Sequence, residues 1–254
     1  MRKIVIAKQD ENLLHKKAES LGLPSFVFGA GQEKRLEMVK KHFDFAGKDV
    51  LDVGCGVGEY AAKFAELGAR VWGVDVDRAN LAAARKLIKN VNLAAAENLP
   101  FPKESFDLVF LHEVLEHVED DKKALKEAAR VLKPGGKIII FVPNRLYPFE
   151  THGFYVGKKF VHKNLPLVNW LPMKVRNKIA AKARVYTLKT FKSLLKFHFN
   201  SQLKIEFAGW VMPALDKIQR RHKIIGNIMK MKLNLLEKSW FRRFGISIFL
   251  VLQK

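Results

Sequence analysis

Residues 49–58 read DVLDVGCGVG, an apolar run that leads directly into three closely spaced glycines. The apolar run predicts a buried β-strand, and the helical spacing of Tyr60, Phe64 and Leu67 predicts a helix after the glycines. Glycine at such a turn permits a tight backbone path and lets a ligand approach the backbone closely. The start of the following helix offers free N–H groups to a carboxylate or phosphate. The sequence therefore predicts a nucleotide-type ligand at this turn.

Strand and helix patterns alternate outward from this turn. Apolar strand patterns recur along the chain, and stripes such as Leu125, Ala128 and Leu132 mark the helices between them. This alternation predicts an α/β fold with a mainly parallel sheet and helices on both faces. The predicted strands span residues 49–53, 70–75, 91–96, 106–111, 137–142, 203–209 and 245–252.

The composition narrows the class of protein. The chain has 254 residues, of which 48% are hydrophobic and 28% charged, so it can bury a core and is not a disordered chain. Its single cysteine, Cys55, excludes a disulfide scaffold. The longest apolar runs, such as ISIFLVL at 246–252, have about seven residues, whereas a membrane span needs roughly 20. The charged start MRKIVIAKQDE is unlike a secretory signal, so we expect a cytoplasmic protein that can lie peripherally on a membrane.

Positive charge is concentrated in the C-terminal part of the chain. Residues 1–142 hold 23 Lys and Arg against 21 Asp and Glu, whereas residues 143–254 hold 23 against four, and the net charge is +21. This asymmetry indicates an acidic partner, which would be a nucleic acid, an anionic membrane surface or a phosphorylated substrate. The alternative is a lysine-rich surface that is only solvated.

A carboxylate follows the second predicted strand. Asp75 stands 21 residues after Gly54, where it can accept hydrogen bonds from both hydroxyls of a ribose. The glycines read G-x-G-x-G after Asp52, whereas dinucleotide-binding folds carry G-x-G-x-x-G. The turn and Asp75 therefore indicate a nucleotide-type cofactor that is not a dinucleotide.

Several motifs together resemble those of the class I S-adenosylmethionine-dependent methyltransferases. They stand in the family's order and spacing and cover roughly residues 46–142. The resemblance implies S-adenosylmethionine as cofactor and a Rossmann-like, seven-stranded sheet whose last strand inserts antiparallel beside the fifth. The motifs are LDVGCGVG at 51–58, GVD at 73–75, ENLPFPKESFDLV at 97–109, EVLEHVED at 113–120 and RVLKPGG at 130–136.

The same resemblance assigns the cofactor contacts. The glycine turn would line the methionine part, the carboxylate after the second strand would hold the ribose, and the Ala96–Glu97 region would face the adenine. The chain departs from the family's pattern at Ala95, where an Asp is frequent, so backbone groups or Glu97 would hold the adenine instead. The implied cofactor residues are Asp52, Gly54, Gly56, Gly58, Asp75, Ala96, Glu97 and His112.

A group of potential metal ligands follows the fourth predicted strand. Glu113, Glu116 and His117 are spaced i, i+3, i+4 and would share one face of a helical turn. Two carboxylates and an imidazole suit a divalent cation. His152 follows the fifth strand and would add a fourth ligand, because both strand ends lie on the same rim. These four residues are predicted to be catalytic and to bind a metal such as Mg²⁺ or Zn²⁺.

The spacing E-x-x-E-H resembles two metal-dependent branches of the family. One comprises the O-methyltransferases of ubiquinone biosynthesis, which act on catechol-like prenylated rings. The other comprises the small-RNA 3′-terminal 2′-O-methyltransferases. Both acceptors carry vicinal hydroxyls that a metal can chelate and acidify. The alternative is that EVLEHV at 113–118 only packs the rim of the sheet.

Two segments mix aromatic and basic residues. Residues 154–185 place side chains such as Tyr155 and Trp170 among many lysines and arginines, and a helix predicted at 213–238 repeats the mixture. Such a mixture suits an anionic lipid surface, single-stranded RNA or a simple lid. The continuous apolar faces favour a membrane or a lipid-linked acceptor over RNA, and PNRLYPFETHG at 143–153 is similar to methyltransferases of glycans or lipid-linked sugars. The helix's predicted apolar face comprises Leu215, Ile218, Ile225, Met229, Leu233 and Leu236.

Together these patterns predict an S-adenosylmethionine-dependent O-methyltransferase that acts on a lipid-like or lipid-linked acceptor such as a quinone or glycan. One alternative is an RNA 2′-O-methyltransferase whose basic half holds phosphates, and another is a non-catalytic, cofactor-binding partner subunit. The predicted parts are a helical lead-in (1–45), a cofactor-binding core (46–143), a basic aromatic insertion (144–186) and the C-terminal half of the core (187–254) with a helical insertion (213–238).

Overall fold

The computed structural model describes residues 30–156, 159–161, 164–180, 183–195, 203–208 and 221–254. The chain forms two compact units. The first unit comprises the described parts of residues 1–141, 191–205 and 250–254, and the second those of residues 142–190 and 206–249. Of the predicted lead-in, residues 1–29 lie outside the described residues, as do residues 213–220 of the predicted helical insertion.

As far as residue 143 the described elements alternate between strand and helix, except that two strands follow one another between residues 90 and 112. The strands are β1 (Asp49–Val53), β2 (Arg70–Asp75), β3 (Asn90–Leu93), β4 (Phe106–His112), β5 (Leu132–Pro143), β6 (Phe149–Glu150), β7 (Phe154–Val156), β8 (Lys159–Val161), β9 (Leu165–Pro166), β10 (Leu203–Ala208) and β11 (Ser247–Gln253). The α-helices are α1 (Ala30–Lys40), α2 (Glu59–Glu66), α3 (Arg78–Ala84), α4 (Asp121–Val131), α5 (Met173–Ile179), α6 (Leu188–Leu195) and α7 (Lys223–Lys238).

The central sheet has the strand order β10-β11-β5-β4-β1-β2-β3. β1 pairs in parallel with β2 and β4, β2 with β3, and β4 with β5. β11 runs antiparallel to β5, because the N–H of Gly135 donates to the Lys254 carbonyl (3.1 Å) and the N–H of Lys254 donates to the Gly136 carbonyl (3.0 Å). The predicted α/β fold, with a mainly parallel sheet and an antiparallel last strand beside the fifth, is therefore confirmed.

The centre of the first unit is built from the apolar runs of β4 and β5. Residues 108–111 and 138–141 are almost completely buried. Parallel strands covered on both faces read as such continuous apolar runs. α4 turns Ala124, Leu125 and Ala128 inward, and from α2 the ring of Phe64 lies 5.1 Å from that of Phe110. The core therefore follows from the strand runs and the helical stripes.

Three local predictions differ from the structure. Leu132 was expected on a helix stripe, but it is the first residue of β5, which begins five residues before the predicted start at 137. The third strand was expected at 91–96, but β3 ends at Leu93, where the N–H of Ala94 donates to the Asp75 carbonyl (3.0 Å) and the chain leaves the sheet. Residues 113–118 were expected to begin a helix, but they form a turn in which the N–H of His117 donates to the Val114 carbonyl (2.9 Å). Glu113 enters this turn at φ +54°, which a helix does not allow.

The second unit is held together by a buried arginine. Arg176 in α5 pairs with the carboxylate of Glu150, and both side chains are about 1% exposed. Its guanidinium also donates to Oδ1 of Asn169 (3.1 Å) and to the carbonyl of Ala183 (3.0 Å). Asn169 in turn donates to the Phe149 carbonyl (2.8 Å). Because a buried charge is costly unless it is paired, this network fixes the strand β6 against Asn169, α5 and Ala183.

Among the described residues, no helix combines the length and the apolar character that crossing a membrane requires.

Candidate functional site

The turn between β1 and α2 has a backbone that only glycine adopts easily. Gly54, Gly56 and Gly58 have φ values of +68°, +54° and +88°. A Cβ on Gly54 would stand 2.5 Å from Cγ2 of Val114, and one on Gly58 would stand 3.1 Å from Ala84. The three glycines thus satisfy both conformation and close packing, and they leave the backbone N–H groups of the turn uncovered by side chains of their own.

Asp75 fixes this turn from the end of β2. Its Oδ2 accepts a hydrogen bond from the N–H of Gly56 (2.8 Å), and its Oδ1 accepts one from the N–H of Asp77 (2.8 Å). Burial raises the pKa of Asp75, although these hydrogen bonds oppose the shift. Each carboxylate oxygen has a further lone pair, so the group can hold the turn and still accept from a ligand.

Asp52 lies at the base of the same turn and is buried. Burial, and then the nearby charge of Asp75, raise the pKa of Asp52 well above its usual range. Within the described part of the chain, its Oδ2 atom has no hydrogen-bond partner. A buried acceptor without a partner is costly, so this oxygen is suited to receive a donor from a ligand or a water.

The loop after β3 contains Ala96 and Glu97, which are both buried. Oε1 of Glu97 accepts from the N–H of Glu119 (2.8 Å), which ties this loop to the segment after β4. Arg130 in α4 donates to the carbonyls of Leu99 (2.9 Å) and Phe101 (2.8 Å). The predicted adenine region is therefore held on two sides, and its role toward adenine stays a prediction.

His112 ends β4 among aromatic rings. Its ring centroid lies 4.7 Å from that of Tyr60 and 5.3 Å from that of Phe141. Burial, and then the charge of Arg35, lower the pKa of His112 to about 3, so the imidazole is neutral at physiological pH. Its Nε2 atom has no hydrogen-bond partner among the residues that the structure describes.

Glu113, Glu116 and His117 come together in the turn after β4, although this turn is not the predicted helical one. Glu116 is almost fully buried, and Nε2 of His117 lies 3.9 Å from its Oε1 atom. Burial, followed by the charge and hydrogen bond of Glu113, raises the pKa of Glu116 well above its usual range. A single proton shared by the two carboxyls is the arrangement that this proximity favours.

Arg35 is a member of this neighbourhood that the sequence patterns did not indicate. Its Nη2 atom lies 3.8 Å from Oε1 of Glu113, and its guanidinium carbon lies 5.8 Å from the centre of the Phe141 ring. The only signal in the sequence is that Arg35 precedes Leu36 and Val39, which are buried at helical spacing on α1. That spacing predicts a packed helix but not the partner of its arginine.

His152 belongs to the second unit, where Glu150 orients it. Oε1 of Glu150 lies 3.0 Å from Nδ1 of His152 and also accepts from the N–H of His152 (3.0 Å). Burial alone would raise the pKa of Glu150, but the hydrogen bond from His152 and the charge of Arg176 outweigh it and lower the pKa. Glu150 is therefore a charged acceptor that holds the imidazole.

The donor chemistry of the turn after β4 fits a divalent cation. Two carboxylates and an imidazole are ligands of the type that Mg²⁺, Mn²⁺ and Zn²⁺ accept. Glu113, Glu116 and His117 all lie in the first unit, whereas His152 lies in the second. The metal site with four ligands therefore stays a prediction.

Comparisons with known proteins agree with this geometry. A family model described as "Methyltransferase domain" matches residues 51–140. The chain is 37% identical over 145 residues to a ubiquinone biosynthesis O-methyltransferase of Pseudomonas fluorescens, covering 52% of this chain and 60% of the relative. It is 34% identical over 138 residues to the protein of the same name from Coxiella burnetii, covering 52% and 58%. The chain thus spans about 60% of the length of the curated relatives that it matches.

A solved structure with a similar fold is the S-adenosylmethionine-dependent methyltransferase from Mesorhizobium loti. It matches with a TM-score of 0.59 and 20% identity over 89% of this chain and 99% of that one. The matched family residues contain the glycine turn, Asp75 and the turn after β4. Residues 51–140 of this chain therefore match a methyltransferase domain, in agreement with the resemblance to the class I S-adenosylmethionine-dependent family.

Proposed function

We propose that this protein transfers the methyl group of S-adenosylmethionine to a hydroxyl of a lipid-like or lipid-linked acceptor, such as a quinone or a glycan. The observation that carries the proposal is the glycine turn at residues 54–58, whose backbone Asp75 fixes through the N–H of Gly56. This turn stands in a methyltransferase domain, and relatives of that domain are named O-methyltransferases.

Different residues of the first unit would contact different parts of the cofactor. The glycine turn, which lets a ligand approach its backbone closely, and the unsatisfied Oδ2 of Asp52 suit the methionine part of the cofactor. Asp75 would accept from the ribose hydroxyls, and the loop with Ala96 and Glu97 would face the adenine. The neutral ring of His112 would lie beside the reacting methyl group, where it adds no positive charge next to the sulfonium.

Methylation of a hydroxyl requires that its proton be removed or that its O–H bond be weakened. The carboxyl pair of Glu113 and Glu116 supports this role, because the raised pKa of Glu116 suits a group that takes up a proton. When bound, a divalent metal such as Mg²⁺ or Zn²⁺ would acidify the hydroxyl. Glu113, Glu116 and His117 would be its ligands in the first unit, and a fourth ligand from His152 stays a prediction from the sequence. The rest of the rate enhancement would come from aligning the acceptor oxygen with the methyl carbon.

The test uses S-adenosylmethionine labelled at its methyl group, incubated with the protein and a bacterial cell extract. We expect the label in the organic-soluble fraction, and we expect the variant Asp75→Asn to transfer far less. Label that becomes soluble only after nuclease treatment would replace this proposal with RNA 2′-O-methylation. Cofactor binding without any transferred label would instead indicate a non-catalytic partner subunit.

A further inference from the structure

Helix α7 exposes a stripe of large apolar side chains. Ile224, Ile228, Met231 and Leu235 follow one another at i, i+4, i+7 and i+11, so they lie along one side of the helix. They are 46–77% exposed. The 3₁₀ turn that follows, Trp240–Phe244, adds two more exposed apolar side chains, since Trp240 is 59% and Phe241 is 50% exposed. A contiguous apolar surface of this kind marks an interaction site.

Basic residues border this stripe. Lys232 and Lys238 are exposed and lie on either side of it by helical spacing. In the turn, the guanidinium of Arg243 lies 4.0 Å from the centre of the Trp240 ring. The acidic residue of the helix, Glu237, lies on the opposite side by the same spacing. The apolar stripe therefore has cationic edges.

We propose that α7 and the turn 240–244 form a membrane-docking surface. The apolar stripe, with Trp240 and Phe241, would enter the acyl boundary of an anionic bilayer, and the bordering lysines and arginines would contact lipid phosphates. Interfacial helices combine these two kinds of side chain in this way, and both contributions add to binding. The proposal concerns binding of the protein to a membrane. It rests on α7 and the turn 240–244 and does not depend on which acceptor is methylated.

The cationic edges and the aliphatic stripe favour a bilayer over two other partners, a second copy of the chain and a nucleic acid. In a symmetric contact with a second copy of the chain, the same cationic edges would face each other and repel. A nucleic acid would satisfy the cations but would leave the aliphatic stripe in water, because its bases stack on aromatic rings. An anionic bilayer covers the stripe and neutralises its edges together.

The experiment is flotation of the full chain with vesicles of phosphatidylcholine alone or mixed with phosphatidylglycerol. We expect binding to the anionic vesicles, with a part that persists at high salt because it is apolar. In the bilayer, each of the two wild-type side chains would bury about half of its surface, and the variant Ile228→Ser/Leu235→Ser loses this burial. The membrane partition coefficient should therefore fall about fivefold per site and about 25-fold in total. The matched control is Leu87→Ser, an equally exposed leucine of the first unit, which should leave binding unchanged.

A second pair of variants separates charge from apolar contact. Lys232→Gln/Lys238→Gln should weaken binding to anionic vesicles about 25-fold at low salt and hardly at all at high salt, since each surface cation contributes roughly fivefold. Unchanged flotation of Ile228→Ser/Leu235→Ser would overturn the proposal. So would a dimer, measured by sedimentation, that dissociates in this variant while no vesicles are bound. Circular dichroism checks folding, and retained methylation of extract components separates a failed docking surface from a failed enzyme.

Discussion

Gly54 is the position of the glycine turn where an added side chain would meet the closest contact. In Gly54→Ala the new Cβ would stand 2.5 Å from Cγ2 of Val114, and the residue would keep φ +68°. The left-handed backbone costs an alanine about 1–2 kcal/mol, and the overpacking adds roughly 1–3 kcal/mol. We therefore expect Gly54→Ala to lower the free energy of unfolding by about 2–5 kcal/mol. Because the turn must shift, affinity for S-adenosylmethionine should fall at least about tenfold.

A second substitution separates the two causes. Val114→Ala removes the clashing methyl group but leaves the backbone conformation unchanged. In the double variant we expect the steric part to disappear, so a double-mutant cycle should give a favourable coupling of about 1–3 kcal/mol. Denaturant unfolding measures the coupling, and isothermal titration calorimetry measures the cofactor affinity. Additive effects within about 0.5 kcal/mol, together with unchanged cofactor affinity in Gly54→Ala, would refute the argument.

Three further predictions follow from other contacts. Asp75→Asn replaces the charged acceptor of the Gly56 N–H with a neutral one. Calorimetry should show a loss in cofactor affinity of about 1.5–3 kcal/mol, or roughly ten- to a hundredfold. Equal affinity in the variant and the wild type would count against the role of Asp75. Glu116 has a raised pKa in the folded state, so its stability contribution declines as pH rises above the ordinary carboxyl value of 4.5. Glu116→Gln should therefore gain stability relative to the wild type as pH increases, and a constant difference in chemical unfolding across pH would contradict this. Arg176→Met leaves the buried Glu150 carboxylate without its arginine partner, which should cost about 3–5 kcal/mol in thermal or denaturant unfolding. A second substitution, Glu150→Gln, should restore part of this loss, and a loss below about 1 kcal/mol would mean that the pair does not hold the second unit.

Local sequence patterns predicted the sheet and the glycine turn, because apolar runs and closely spaced glycines determine these features locally. The apolar run before Gly54 and the strand runs around residues 106–111 and 137–142 each report burial on both faces. The antiparallel last strand was implied by family resemblance and not by any local pattern. The turn at residues 113–118 was mistaken for a helix start, because the positive φ of Glu113 and its N–H bond to the Phe141 carbonyl (3.0 Å) depend on a neighbouring strand.

Contacts between distant residues were beyond the reach of these patterns. The approach of Arg35 to Glu113 and the buried pair of Glu150 with Arg176 join side chains far apart in the sequence. Hydrophobic spacing also did not show which side of α7 is covered. The predicted apolar face contained Met229 and Leu233, which are half-buried, but the side with Ile228 and Leu235 is equally apolar and is exposed. Hydrophobic periodicity locates an apolar stripe on a helix, whereas tertiary packing decides what covers that stripe.

The most direct measurement of the proposed activity uses a catechol that carries a prenyl chain, offered with labelled S-adenosylmethionine. We would record the S-adenosylhomocysteine released and identify the labelled product by mass spectrometry and NMR. We expect the two products in equal amounts, with the methyl group on an oxygen, and we expect both to fall sharply in Asp75→Asn. Tight binding of S-adenosylmethionine with no S-adenosylhomocysteine formed, from this acceptor or from a cell extract, would contradict the proposal that this chain is an O-methyltransferase.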